Sequence, residues 1–600
     1  MLPEEGVGGN GRVWIGAPAA IGAMVGRPRR LPPGGRGAGP WRNHDLGPYN
    51  PLPTCRVPVA AEIRRMTPRR EIVSPTESPS RKPLSMGPRR SPHEPGNSDG
   101  WAMDRRSFLR VGAAGAATLL LPNWLAADPR LPFSPRGLGR PIRIRGQVRT
   151  GRRGVAGVAV SDGLEVVRTS RDGTFEILSS EGRNFLRMSV PSGYRIPLNP
   201  TGTARFYQPI APAPSGEMDA VFELERLEDS DENHAFFLLA DIQTQDRQEM
   251  AWFHQQTVPD VRATHEALGR PQAFGMACGD IMYDDLPLFP DYEEGVSRMG
   301  VPFFQVVGNH DLDMDRPTNE GSTDTFSRHF GPPYYSFDRG AVHYVVLDDV
   351  FWHGTGYLGY LGADQLRWLE NDLKLVEPGR PVILAAHITI LGSRHQREGR
   401  EHPSPGISVA NRRALYRLLE PYQAHILTGH THESEHVFTA GTHEHVCGAV
   451  CGSWWSGPIC PDGTPNGFAV YEIRGEEVTW RYKSTGFDLS HQLRVYPRGA
   501  DPGAPDEIVA NVWDWDPAWT VVWYEDGERK GEMVRRVGTD PLSEELHRGD
   551  ERPPRRTWVQ PYLTGHLFYA PVSPGVREIR VEATDRFGRV YSGSPERPGV

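Results

Sequence analysis

Val301-Pro302-Phe303-Phe304-Gln305-Val306-Val307-Gly308-Asn309-His310-Asp311 is an apolar run that breaks at a glycine and then delivers an amide, an imidazole and a carboxylate in consecutive positions. Aromatic and β-branched residues make the run a buried strand, and Gly308 ends it. Three polar groups at the end of a buried strand are costly to desolvate unless they bind something.

The arrangement recurs four times. Ala235–Ala240 ends in Asp241-Ile242-Gln243, Ala273–Cys278 in Gly279-Asp280, Val382–Ala386 in His387, and His425–Thr428 in Gly429-His430-Thr431-His432. A single histidine in such a place is most simply a satisfied core residue. Five strands that each end in a donor are not explained that way, because α/β sheets gather ligands at the C-terminal edge of their strands. The oxygen and imidazole donors Asp241, Gln243, Asp280, Asn309, His387, His430 and His432, with no thiolate among them, point to a site for two metal ions.

Asp-x-Gln, Gly-Asp, Gly-Asn-His-Asp, a lone His and Gly-His-Thr-His, in that order, resemble the calcineurin-like metallophosphoesterase signature from about Asp231 to Trp455. The resemblance implies a dinuclear-metal phosphoesterase that hydrolyses phosphate mono- or diesters with a hydroxide generated between the ions. It assigns Asp280 as the bridging ligand. One metal then takes Asp241, Gln243, Asp280 and His432, and the other takes Asp280, Asn309, His387 and His430. His310 becomes the residue that stabilises the transition state or protonates the leaving oxygen, binding substrate together with Asn309, and Asp311 reads either as the carboxylate that orients its ring or as a turn residue. Asp284 and Asp313 read as loop carboxylates.

Gln243 departs from the family, most of whose members have His there. An amide oxygen is a harder and weaker donor than imidazole, which favours Mn²⁺ or Mg²⁺ over Zn²⁺. Gly279-Asp280-Ile281-Met282-Tyr283 also resembles the purple acid phosphatase spacing, in which the Tyr binds iron. The expectation is a Mn²⁺-type centre, with Tyr283 outside the ligand set and iron or zinc as alternatives. The rival class is a catalytically weak or dead metal-binding protein that recognises a cell-surface ligand.

The remaining chain sets the context. At 600 residues it exceeds one core. Residues 1–102 contain 17 Pro and 15 Gly, a share that reads as a disordered or non-native extension. Met103-Asp104-Arg105-Arg106-Ser107-Phe108-Leu109-Arg110 has the twin-arginine form and precedes the short apolar stretch Val111–Leu121. Residues 103–127 are therefore expected to be a twin-arginine signal, with Met103 as the start and a periplasmic or secreted product. The chain after it has 49 basic and 66 acidic residues, a net of −17. That balance argues against nucleic acid as a main partner and against a polybasic membrane attachment, and no membrane span is expected in the mature form. The oligomeric state is left open, and the substrate is a small or polymeric phosphoester.

Short alternating runs with Asp-Gly turns predict an N-terminal β-sandwich over residues 128–228, similar to transthyretin-like accessory domains. Residues 229–455 alternate strands with helical patterns, such as Leu366, Leu369 and Leu373 on one face. Residues 456–600 return to strands and turns and are rich in tryptophan, read as filling a β core. The expected fold class is α/β (α+β), a metallophosphoesterase β-sandwich core flanked by helices with an all-β sandwich domain on each side. Cys447, Cys451 and Cys460 are near enough in sequence for one pair to be oxidised in an exported protein, with the pairing left open.

Overall fold

The computed structural model describes residues 139–550 and 552–596. The extension over 1–102, the signal over 103–127 and Cys55 lie outside the described residues.

The core strands in chain order begin with β1 (Asn233–Leu239), β2 (Phe274–Cys278), β3 (Phe303–Val306), β4 (Tyr335–Arg339) and β5 (Val342–Val346). They continue with β6 (Pro381–Ala385), β7 (Gln423–Thr428), β8 (Glu435–Thr439), β9 (Thr442–Val446), β10 (Gly467–Arg474) and β11 (Glu477–Ser484). Two sheets form from them. One runs β3-β2-β1-β10-β11, parallel through β1 and antiparallel beyond it. The other runs β4-β5-β6-β7-β9-β8, with β5, β6, β7 and β9 parallel and antiparallel strands at both edges.

Both faces of these strands are covered, which is why they read as unbroken apolar runs rather than alternating ones. Phe236, Leu238, Met276 and Phe304 meet Tyr344, Val346, Ile383 and Leu427 between the sheets. The other face of the first sheet, with Phe237, Leu239 and Ala277, packs on α1 (Val258–Leu268) and α2 (Phe289–Met299). The second sheet's other face packs on α3 (Ala363–Leu373) and α4 (Arg412–Leu419) through Trp368, Leu369, Leu373, Leu415 and Leu419. Trp368 takes the central place expected for Leu366, which is only partly buried, because the larger ring fills the helix–sheet gap.

The sheet does not end at Trp455. β10 and β11 lie beyond that expected boundary yet complete the first sheet against β1. A separate C-terminal sandwich then follows, with two four-stranded antiparallel sheets built from residues 494–593. On the N-terminal side, Pro141–Thr150 pairs with Thr174–Ser180 and Glu217–Glu223, and a second small sheet faces it. Cys278, Cys447, Cys451 and Cys460 are all buried free thiols, so no disulfide forms among the described cysteines. Each is packed as a small apolar group.

Candidate metal centre

The C-terminal ends of the parallel strands bring all seven expected ligands to one edge. Asp280 sits at their centre. Its Oδ1 lies 3.2 Å from Nε2 of His387 and accepts the His310 backbone N–H at 2.9 Å. Its Oδ2 accepts the Gln243 amide N–H at 3.0 Å. The carboxylate thus turns one oxygen toward each half of the cluster.

Nε2 of His387 is also 3.2 Å from Asn309 Oδ1 and 3.2 Å from Nδ1 of His430. Four atoms with lone pairs therefore crowd one point. On the other side, Nε2 of His432 is 3.5 Å from Asp241 Oδ1, and both Asp241 oxygens accept the His430 backbone N–H. Gln243 as placed turns its amide oxygen toward Cys451 Sγ, and half a turn of the amide would bring that oxygen inward.

Each histidine is aimed by the backbone. His387 Nδ1–H donates to the Cys278 carbonyl at 3.0 Å, His430 Nε2–H to Gly406 at 2.9 Å, and His432 Nδ1–H to Gly452 at 2.6 Å. The remaining nitrogen of each ring is left with a lone pair directed into the cluster, as metal-binding histidines require. Asp349 holds the His387 loop by accepting the backbone N–H groups of His387 and Ile388.

Backbone strain is concentrated here. Asp241, Gln243, Asp280, Asp284, His430 and His432 have φ of 48°, 46°, 45°, 66°, 70° and 52°, a region that costs a non-glycine residue roughly 1–3 kcal/mol. The glycines preceding the donors permit the crowding. A Cβ on Gly308 would meet the Asp280 backbone nitrogen at 1.9 Å, and one on Gly279 would meet the His387 ring at 2.3 Å.

The electrostatics suit a cation. Burial pushes Asp241 up to about 7, aided by the Asp280 charge. Burial also holds the His430 and His432 rings down to about 3 and about 4, so they stay neutral. His387 goes the other way. Against its burial, Asp280 and Asp241 raise it to about 10, so the carboxylates demand positive charge at the point where the lone pairs meet. Two divalent ions fit this donor set.

His310 stands beside the cluster. Its Nδ1 meets Asp284 Oδ1 at 2.7 Å, and its ring stacks on Tyr283 with centroids 4.4 Å apart. Asp311, the candidate for orienting it, is turned away. Asp311 accepts the backbone N–H groups of Ile281, Met282 and Gly308, so it ties the two loops together instead. Asp284, expected as a loop carboxylate, is the ring's partner. Asp313 does cap a helix, accepting from Thr325 N–H at 2.7 Å.

Other neighbours had no local signal. Trp454 stacks on His432 at 4.0 Å and meets Trp558 at 4.6 Å. Arg556, from the same segment as Trp558, lies over the Tyr283 ring at 4.9 Å and bonds Gln245 and Glu249. Tyr357 packs edge-on to His430 at 5.9 Å. Asp349 did carry a signal, since the apolar run through β5 ends in Asp348-Asp349 like the other five.

Three family models match the chain: "N terminal of Calcineurin-like phosphoesterase" over residues 142–227, "Calcineurin-like phosphoesterase" over 235–434, and "C terminal of Calcineurin-like phosphoesterase" over 444–591. The chain is 25% identical over 236 residues to serine/threonine-protein phosphatase CPPED1 of Pongo abelii, covering 37% of this chain and 71% of that protein. The Homo sapiens protein of the same name is 24% identical over the same length and shares. Among solved structures, a dimetal phosphatase from Danio rerio aligns with a TM-score of 0.29 at 14% identity, covering 42% of this chain and 96% of that one. A purple acid phosphatase from yellow lupin aligns with a TM-score of 0.32 at 13% identity, covering 57% and 72%.

Proposed function

The chain belongs to the calcineurin-like phosphoesterase family and is a phosphoric ester hydrolase, and from that premise we propose that the Asp280 cluster is its active site and cleaves phosphate mono- or diesters. The observation that carries the reading is the division of Asp280, with one oxygen toward His387, Asn309 and His430 and the other toward Gln243. Asp241, Gln243, Asp280 and His432 would hold one divalent ion, and Asp280, Asn309, His387 and His430 the second. Such a pair, when bound, clamps phosphoryl oxygens and supplies a nucleophilic water at neutral pH.

The chain's own groups do the rest. His310 has Nδ1 committed to Asp284, which leaves Nε2 for substrate. Burial opposes charge on this ring, but Asp280 and the hydrogen bond with Asp284 raise its pKa above the usual histidine value. A protonated His310 can give its Nε2 proton to the departing oxygen. Trp454 and the half-exposed Trp558 form an apolar wall beside His432 that suits a flat or apolar leaving group.

Mn²⁺ is favoured by the amide donor of Gln243, with Mg²⁺, Fe or Zn²⁺ as the alternatives. The twin-arginine motif supports action in the periplasm or outside the cell. No helix among the described residues is long and apolar enough to cross a membrane. Nitrophenyl phosphate mono- and diesters with added Mn²⁺ test the reading. Turnover of either is expected, whereas metal binding without turnover under Mn²⁺, Mg²⁺, Fe²⁺ or Zn²⁺ would leave a recognition protein.

A further inference from the structure

Between the two sheets most inward-facing positions are apolar, and at one flank four imidazoles take their place. His425 of β7 stands opposite His443 of β9, and His445 of β9 stands opposite His436 of β8. None of these residues belongs to the Asp280 cluster. Their strand positions place His443 and His445 on the same face, with Glu444 on the other, where its carboxylate accepts backbone N–H groups of Ile390 and Leu391.

We propose that His425, His443 and His445, joined by His436 through its approach to His443, form a third, structural metal site that takes Zn²⁺ and, through Asp514 on His436, fastens the C-terminal domain to the catalytic sheet. His425 Nδ1 is 3.0 Å from His445 Nε2, and His436 Nδ1 is 3.0 Å from His443 Nε2. One ligand atom from each of His425, His443 and His445 falls within 4.8 Å of the others. Four nitrogens around a tetrahedral zinc ion sit about 3.3 Å apart, given Zn–N bonds of about 2.0–2.1 Å.

The proton inventory agrees. Asp514, from the C-terminal domain, has Oδ1 3.0 Å from Nε2 of His436, so this nitrogen donates and Nδ1 turns its lone pair to the cluster. That carboxylate–imidazole pairing is the support that metal-binding histidines receive. His445 is buried, and its Nδ1 has no partner. Four polar rings that share only two mutual hydrogen-bond contacts are an expensive filling for a core unless a cation uses their lone pairs.

The surroundings are aromatic. Trp480 packs against all four at centroid distances of 4.6 to 6.0 Å, and Phe438 stacks on His443 at 4.0 Å. The nearby Arg586 lies over the Trp480 ring at 5.2 Å. Arg586 is itself paired with Asp516 at 2.6 Å, so its charge is offset. Imidazoles without thiolates suit zinc, and metal binding to such a set stabilises the folded state directly.

The test uses the full chain, stripped of metal and reloaded with Zn²⁺ or Co²⁺. Wild type should bind three ions per chain and His445→Asn two, with activity kept and a lower thermal midpoint. Co²⁺ should give an intense tetrahedral-type absorption that His445→Asn lacks. Asp514→Asn should weaken the third ion by roughly 10–100-fold. Should His445→Asn fail to fold, Asp280→Asn answers instead. It empties at least one active-site position but should retain the tetrahedral Co²⁺ signal, which separates this site from the catalytic reading. Equal ion counts and identical Co²⁺ spectra in wild type and both histidine-site variants, or no such signal in Asp280→Asn, would overturn the site.

Discussion

Asp284, not the adjacent Asp311, holds His310: its Oδ1 lies 2.7 Å from the imidazole Nδ1, while Asp311 is consumed by three backbone N–H groups. Two carboxylates near one histidine therefore have separable tasks. One sets the ring, and the other sets the loop that carries it.

His310→Ala should lose roughly 10²–10⁴ in kcat. The loss should shrink for substrates with good leaving groups such as nitrophenol, with metal content unchanged. Asp284→Asn should show the same leaving-group dependence at smaller size, because it frees the ring without removing it. Asp311→Asn should instead lower thermal stability, since it breaks buried backbone hydrogen bonds. A leaving-group dependence in Asp311→Asn but not in Asp284→Asn would reverse these roles.

Metal identity is read at Tyr283. Its ring is committed to the face of His310 and lies under Arg556. The proposed Mn²⁺ occupancy predicts a colourless protein, and Tyr283→Phe should keep its metals and most of its activity. A visible charge-transfer band that vanishes in Tyr283→Phe would make this a purple-acid-type centre.

The strand-end donors were legible because each closes its own apolar run, so local pattern alone marks the edge where they meet. Asp284 was not, since a carboxylate in a loop carries no sign of which ring it will face. Arg556, Trp454 and Trp558 reach the site only through the packing of the C-terminal segment. The membership of β10 and β11 in the first sheet was hidden for the same reason. Pairing between β1 and β10 spans more than two hundred residues and leaves no trace in either strand. The His436–Asp514 contact likewise joins two domains.

His343 predicts a pH dependence of stability away from the metals. The buried ring meets Asp338 and Asp372 at 3.0 Å each, so both nitrogens donate. Against burial, these two bonds raise it from 6.5 to about 9. A raised pKa contributes stability that is complete below about 6.5 and lost as pH rises through about 9. The shift corresponds to at most about 3 kcal/mol. Denaturant midpoints should fall between pH 6.5 and 9.5 in wild type and stay flatter in His343→Gln. An equal fall in both would remove His343 as the cause.

The most direct measurement of the two-metal account is metal content and hydrolysis in Asp280→Asn beside wild type. Asp280 serves both halves of the cluster, and losing its charge should empty at least one of them. The account predicts a folded protein that has lost at least one active-site ion and nearly all turnover of nitrophenyl phosphate. A variant that keeps near-normal activity together with a wild-type complement of metals would contradict it.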